Sequence, residues 1–170
     1  VTAPRVVGLD LSMTATGIAD ADGITSTVKP RRVGDARLTE IRDEVRVAVY
    51  GSDFVVIEDL PTHAHGAGIT GMVHGAIRAM LQSGPPYVLV TPATLKKFAT
   101  GRGNAGKPEM AVALFKRAGL ELADDNQVDA WWLRAAGLTI LGHPPVQVPA
   151  AQTGALAALD AAWAAREAIR

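Results

Sequence analysis

Three acidic residues stand where an ionised side chain is seldom left alone. Asp10 ends the run Val6-Val7-Gly8-Leu9, Glu58 closes Phe54-Val55-Val56-Ile57, and Asp129 lies among Val128, Ala130, Trp131 and Trp132. A carboxylate in apolar surroundings needs a counter-charge, a hydrogen bond or a proton. Taken singly, each is explained by an arginine partner or a turn cap. Taken together, at the ends of neighbouring elements, they form a candidate cluster. Helix geometry adds Asp125 and Asn126, which lie about 40° and about 60° from Asp129 around a helical axis, on opposite sides. Two carboxylates about 4 Å apart repel by about 4 kcal/mol at an effective dielectric of 20. A cluster of three or four therefore needs protons or divalent cations. Oxygen-only ligands suit Mg²⁺ or Mn²⁺, and two such ions about 4 Å apart serve in-line displacement at phosphorus. The chemistry indicated is phosphodiester hydrolysis.

The elements that must position these residues follow from periodicity. Arg5 to Ser12 reads as a strand buried on both faces. Thr16–Asp20 and Ile24–Val28 flank Asp22-Gly23, a pair that predicts a hairpin with a type I′ turn. Leu38, Ile41, Val45 and Val49 predict a helix over Asp35 to Tyr50, and Phe54 to Glu58 a fourth strand that Pro61 cannot extend. Ile69, Met72, Val73, Ala76, Ile77 and Met80 mark a second helix, and Tyr87 to Val90 a fifth strand. Thr91-Pro92 opens a third helix with a hydroxyl cap and proline at its first position. After the glycine-rich stretch Gly101 to Gly106, a helix is expected from Pro108 to Ala118. Asp124 and Gln127 predict a capping box for another that runs to Leu141. Beyond His143-Pro144-Pro145 a last helix is expected over Thr153 to Ile169, with Leu156, Leu159 and Trp163 as its contact face. The order βββαβαβα plus helices makes an α/β domain with a mixed sheet.

Composition narrows the partners. The 170 residues suit one domain, and 48% hydrophobic with 20% charged residues excludes wholesale disorder. Seventeen basic and seventeen acidic residues cancel, so a polyanion would have to be held by a local patch. The absence of cysteine excludes disulfides and thiolate-ligated metals. No stretch approaches the ~20 apolar residues of a membrane span. Asp10 interrupts the apolar run at the start, so no secretory signal is expected, and a cytoplasmic setting fits.

Gly8-Leu9-Asp10-Leu11-Ser12 with Thr16-Gly17, Val55-Val56-Ile57-Glu58-Asp59, Lys107 at a helix start, and Asp125-Asn126-Gln127-Val128-Asp129-Ala130 together resemble the RuvC-type Holliday junction resolvases, most closely their phage and actinobacterial relatives. The likeness runs from about Arg5 to Leu141 and rests on the order and context of motifs that are weak individually. It implies a ribonuclease H-like fold, a five-stranded mixed sheet flanked by helices. It also implies a homodimer that nicks branched DNA symmetrically with Mg²⁺ or Mn²⁺, in a bacterial cell or phage-infected host. Residues 1–142 would form the nuclease domain and 143–170 a helical extension of it. Asp10, Glu58 and Asp129 take the places of family metal ligands. The fourth place is filled by Asp125 or by Asn126, where family members carry an acid or histidine three residues before the last aspartate. Asp125 brings charge and Asn126 a neutral oxygen. Lys107 matches a lysine that lies beside the scissile phosphate. After Glu58, where well-studied bacterial members stack an aromatic ring on a base, this chain has Leu60-Pro61-Thr62-His63-Ala64-His65, with His63 available to stack or to contact phosphate.

Lys96, Lys97, Arg102 and Lys107 surround the glycine-rich loop, with Lys116 and Arg117 beyond, and suit a phosphate-backbone contact. Gly101 to Lys107 also imitates a nucleotide-binding P-loop, but Pro108 stands where the magnesium-binding hydroxyl is required and a helix precedes it. Gly68, Gly71 and Gly75 beside the apolar stripe would let another helix approach closely, and the resemblance implies that the helix Gly66–Leu81 forms the dimer contact. Its alternative is simple packing on the sheet. His63, His65 and His74 are read as loop or surface residues rather than ligands, and Trp131 and Trp132 as one core ring and one partly buried ring. The leading expectation is a metal-dependent, structure-selective endonuclease acting on junctions, forks or flaps. One competing reading is a non-catalytic branched-DNA module of the same fold. Another is a fragment related to actin-like sugar kinases, prompted by Asp10-x-Ser12-x-Thr14.

Overall fold

Period-two alternation in the first and fourth strands decides which helices cover which face. The computed structural model describes residues 3–60 and 67–167. Strands β1 (Val6–Asp10), β2 (Thr16–Ala19) and β3 (Thr25–Val28) form an antiparallel meander. β4 (Phe54–Glu58) pairs parallel with β1, and β5 (Tyr87–Val90) parallel with β4, giving the order β3-β2-β1-β4-β5. Val7, Leu9, Val55 and Ile57 point to one face, where Ile41 and Val45 of α1 (Ala36–Ala48) and Val73 and Ile77 of α2 (Ala67–Leu81) cover them. Val6, Phe54 and Val56 point to the other face. They pack there against α3 (Pro92–Thr100), α4 (Lys107–Ala118) and α5 (Asp125–Ile140). The predicted fold class and the order of elements are thus met.

Helix α5 lies directly on the sheet because β1 and β2 have glycine beneath it. A methyl at Gly8 would run into the Ala130 carbonyl, and one at Gly17 into the Asn126 carbonyl. Arg134 fastens the same helix by donating to the Val6 carbonyl at 3.2 Å and the Ala21 carbonyl at 3.0 Å. At its start the Asp124 carboxylate accepts from the Gln127 N–H at 3.1 Å. The reciprocal half of the predicted capping box is absent, because the Gln127 side chain instead accepts from the Thr25 hydroxyl of β3 at 3.0 Å. Asp124 also accepts from the Thr27 hydroxyl at 2.8 Å, so β3 and the start of α5 are tied side chain to side chain.

Three other expectations are corrected. The β2–β3 hairpin forms, but only Gly23 has positive φ, so the turn is not type I′. The Asp20 carbonyl takes the Gly23 N–H, while its carboxylate takes the N–H groups of Asp22 and Ile24, which sets a longer turn. The single last helix is instead α6 (Ala150–Thr153), a 3-10 turn (Gly154–Leu156) and α7 (Ala157–Glu167). Its expected contact face holds: Leu156 is buried, Leu159 packs on the core, and Trp163 lies 4.2 Å from the Phe54 ring, centroid to centroid. Trp131 and Trp132 are both buried, with rings edge to face at 5.0 Å.

Candidate active site

Strand register assembles the acidic cluster. Leu9 is level with Ile57, so Asp10 and Glu58 are the next pair along adjacent parallel strands, on the face that carries α5. Neighbouring strands are about 4.8 Å apart. Asp129 lies one residue before Ala130, whose carbonyl rests on Gly8, and so comes down beside the end of β1. Each of the three is partly buried.

Electrostatics shows that the three carboxylates share one region. Burial pushes Asp10 up to about 7, with the charges of Asp129 and Asp124 adding to the rise and Lys107 opposing it. Burial likewise pushes Glu58 up to about 8, helped by Asp10 and Asp129 and opposed by Lys96. Asp129 rises to about 6, again chiefly from burial, with Lys107 and Lys96 pulling it down. Partly buried acids that raise one another in this way are a functional-site signature with a physical cause.

The cations at the rim differ in what they touch. Lys107, the first residue of α4, donates to Asp125 at 2.8 Å, and both side chains are largely exposed. That bond raises the lysine above its ordinary value and leaves the ammonium open to solvent. Lys96 of α3 acts on both Glu58 and Asp129, which places it over the cluster rather than only along the glycine-rich loop, where the sequence had put it. Arg102 is paired with Glu109 at 2.8 Å, and Lys97 is exposed. Arg117 is used structurally, donating to the Gln147 carbonyl and to Gln152. Asn126 lies against Gly17 and hydrogen-bonds to Asp124. His63 and His65 lie outside the described residues. His74 is buried in α2, with Nδ1 unpartnered among the described residues.

Two decoys dissolve. Gly101 to Lys107 follows a helix and has no strand before it, so it is no P-loop. Ser12 and Thr14 build a local turn, in which the Ser12 hydroxyl accepts from the N–H groups of Thr14 and Ala15.

Among the described residues no three acids or histidines already close around one ion. The donor set nevertheless fits a hard divalent cation. Asp10, Glu58 and Asp129 offer oxygen only, and each is held toward its protonated form by burial that a cation would offset.

No family model matches the chain. It is 30% identical over 132 residues to the crossover junction endodeoxyribonuclease RuvC of Corynebacterium glutamicum, a match that takes in 68% of this chain. The chain spans 60% of the length of that relative. Its fold is shared with Thermus thermophilus RuvC, at a TM-score of 0.66 and 20% identity over 85% of this chain and 99% of the other. The same protein in complex with a Holliday junction substrate gives a TM-score of 0.67 at 20% identity, over 85% of this chain and 98% of that one. The chain thus shares a ribonuclease H-like fold with Thermus thermophilus RuvC and is similar in sequence to the Corynebacterium glutamicum enzyme.

Proposed function

We propose that this protein is a metal-dependent, structure-selective endodeoxyribonuclease that hydrolyses phosphodiester bonds in branched DNA, with the Holliday junction as its principal substrate and forks or flaps as related ones. The observation that carries this is the meeting of Asp10, Glu58 and Asp129 at one lip of the sheet, each driven up by burial. The curated relative is named as a crossover junction endonuclease, which supports the same reading.

Asp10, Glu58 and Asp129 would hold Mg²⁺ or Mn²⁺, with Asp125 or Asn126 completing the set. Bound there, the ions supply charge stabilisation to the attacking and leaving oxygens of an in-line displacement. The chain's own contribution is positional. Asp10 and Glu58 are fixed by paired strands, and Asp129 by a helix seated on glycine. Lys107, tethered to Asp125 at 2.8 Å, keeps a cation beside the lip for the phosphoryl oxygens as they gain charge. In the reaction a water oxygen forms the new bond to phosphorus, the bond to the leaving sugar oxygen breaks, and that oxygen leaves protonated. Lys96, Lys97, Arg102 and His63 would bear on the phosphate backbone.

Action on two strands calls for two sites. On α2, Ile69 and Met72 are 54% and 45% exposed, and a methyl at Gly68 or Gly75 would meet nothing within 4 Å. This open face supports a homodimer through α2. No helix among the described residues is long and apolar enough to cross a membrane, and the proposed setting is the cytoplasm.

The test is cleavage of a labelled four-way junction in Mg²⁺ and in Mn²⁺, set beside fork, flap and duplex. Asp10→Asn and Glu58→Gln should each abolish nicking while junction binding in Ca²⁺ persists. Loss of binding together with cleavage, or undiminished nicking by either variant, would contradict the assignment.

A further inference from the structure

The row of residues that ends the sheet does not stop at the acids. Asp10 is level with Gly17, and Gly17 with Thr27, so β3 reaches the same lip as β1. On the other side Glu58 is level with Val90, after which the chain enters α3 and brings Lys96 over the cluster. Two strand spacings put Thr27 roughly 10 Å from Asp10 along the row. Two residues later comes Lys29, then Arg31 and Arg32.

All three side chains are exposed, and none makes a salt bridge with another described residue. Their backbone, in contrast, is fixed. The Glu40 carboxylate of α1 accepts from the Arg31 N–H with both oxygens and from the Arg32 N–H with one, each at 3.1 Å. These N–H groups hold Glu40 below its ordinary value. A groove runs along β3 from Ser26 past Lys29 and Arg31 to Glu40 and Glu44. Asp124, which lies between β3 and the cluster, is occupied by the Thr27 hydroxyl and the Gln127 N–H. The result is a loop with a pinned main chain and exposed cations that form no salt bridge among the described residues, on the β3 flank of the acidic lip, across from Lys96. In a chain with no net charge, this separation of charge singles out a surface.

We propose that Lys29, Arg31 and Arg32 form a second phosphate-backbone contact, which grips the DNA strand on the β3 side of the lip. The contact reads charge and not bases, because it consists of flexible cations with no groove-reading element beside them. It rests on the reading of the cluster as a DNA-cleaving site.

The experiment is junction binding in Ca²⁺ by fluorescence anisotropy across a salt series, with nicking in Mg²⁺ measured on the same preparations. Each phosphate contact contributes about 0.9 to the slope of log affinity against log salt. The combined variant Lys29→Gln, Arg31→Gln, Arg32→Gln should bind roughly tenfold or more weakly at moderate salt, with a slope lower by about 2 to 3. The charge-keeping variant Lys29→Arg, Arg31→Lys, Arg32→Lys should retain both. Arg42→Gln with Arg46→Gln, on the arginines paired to Asp43 of α1, should change neither. Should the combined variant fold poorly by thermal denaturation, Lys29→Gln alone should lower the slope by about 0.9. Unchanged affinity and slope in the glutamine variants overturns the second contact and leaves the cleavage reading intact. Binding without nicking by the unaltered protein overturns the cleavage reading, and the slope still decides the contact. No binding of branched DNA by the unaltered protein overturns both.

Discussion

Asp10, Glu58 and Asp129 ionise at about 7, 8 and 6 in the folded protein, against 3.8, 4.5 and 3.8 without the fold. Between those two sets of values the folded protein keeps protons that the unfolded chain has released. The metal-free protein is therefore most stable toward the acid end of that window and loses stability as pH rises through the folded values. In chelator, the melting temperature should fall from about pH 5 to about pH 8.5. Asp10→Asn should flatten that decline and melt higher than the unaltered protein at the alkaline end. Mn²⁺ should raise the melting temperature more near pH 8 than near pH 5.5, since a cation binds the ionised set. A metal-free melting temperature that climbs with pH would show that the three acids do not burden one another. At this scale the sequence exposed the main cluster, because a carboxylate beside valine, isoleucine or tryptophan is conspicuous. It named the rim residues Asp125, Lys107 and Lys96 but not how they meet the cluster. Asp125 and Lys107 are eighteen positions apart and form an exposed ion pair that no periodicity announces. Lys96 reaches the cluster only because α3 lies where it does.

At the scale of elements, the fit of α5 on the sheet is what turns distant residues into a site. Gly8→Ala would push the Ala130 turn of the helix away from β1, and Gly17→Ala would do the same to Asn126. Either change meets backbone rather than a movable side chain. The expected cost is about 1–3 kcal/mol or more, and about 2–4 °C of melting temperature for each kcal/mol in a chain of this size. Nicking should drop further than stability accounts for, since Asp129 moves with the helix. This is checked by comparing activity with the melting temperature at a temperature where both variants remain folded. Full activity at a lowered melting temperature would mean that Asp129 needs no such seating. The five strands and the helices of the central region were legible because buried runs and helical stripes are local. The β2–β3 turn type was not, because the Asp20 side chain takes two N–H groups and overrides the preference of Asp22-Gly23. Nor was the interruption of the last helix, where residues Ala150 to Leu156 form two short helical pieces before α7. The capping box lost half its bonds to a threonine about a hundred positions away, a tertiary partner that no local pattern contains.

For the molecule as a whole, a zero net charge hides a strong internal order. Acids occupy the middle of the sheet's lip, and cations stand on both sides of it. Composition averages this away, and only the strand order β3-β2-β1-β4-β5 reveals it. The lip and α2 also stand in a fixed relation, because β4 ends at Glu58 and the described chain resumes in α2 on the opposite face of the sheet. If two copies meet through α2, each carries its own acidic lip, and one junction can be nicked at two places within a single encounter. Met72→Glu together with Ile69→Glu places charge on the open side of α2 without touching Val73 or Ile77, which hold that helix to the sheet. Sedimentation should then show a dimer for the unaltered protein and a monomer for the variant. On a supercoiled plasmid that extrudes a cruciform, paired cuts yield linear product in one event, while independent cuts leave a nicked circle first. The variant should accumulate the nicked circle and retain a measurable single-strand nicking rate. A variant that remains dimeric, or a monomer that still linearises the plasmid without a nicked intermediate, would remove α2 from the mechanism and leave the acidic lip to be judged by its own substitutions.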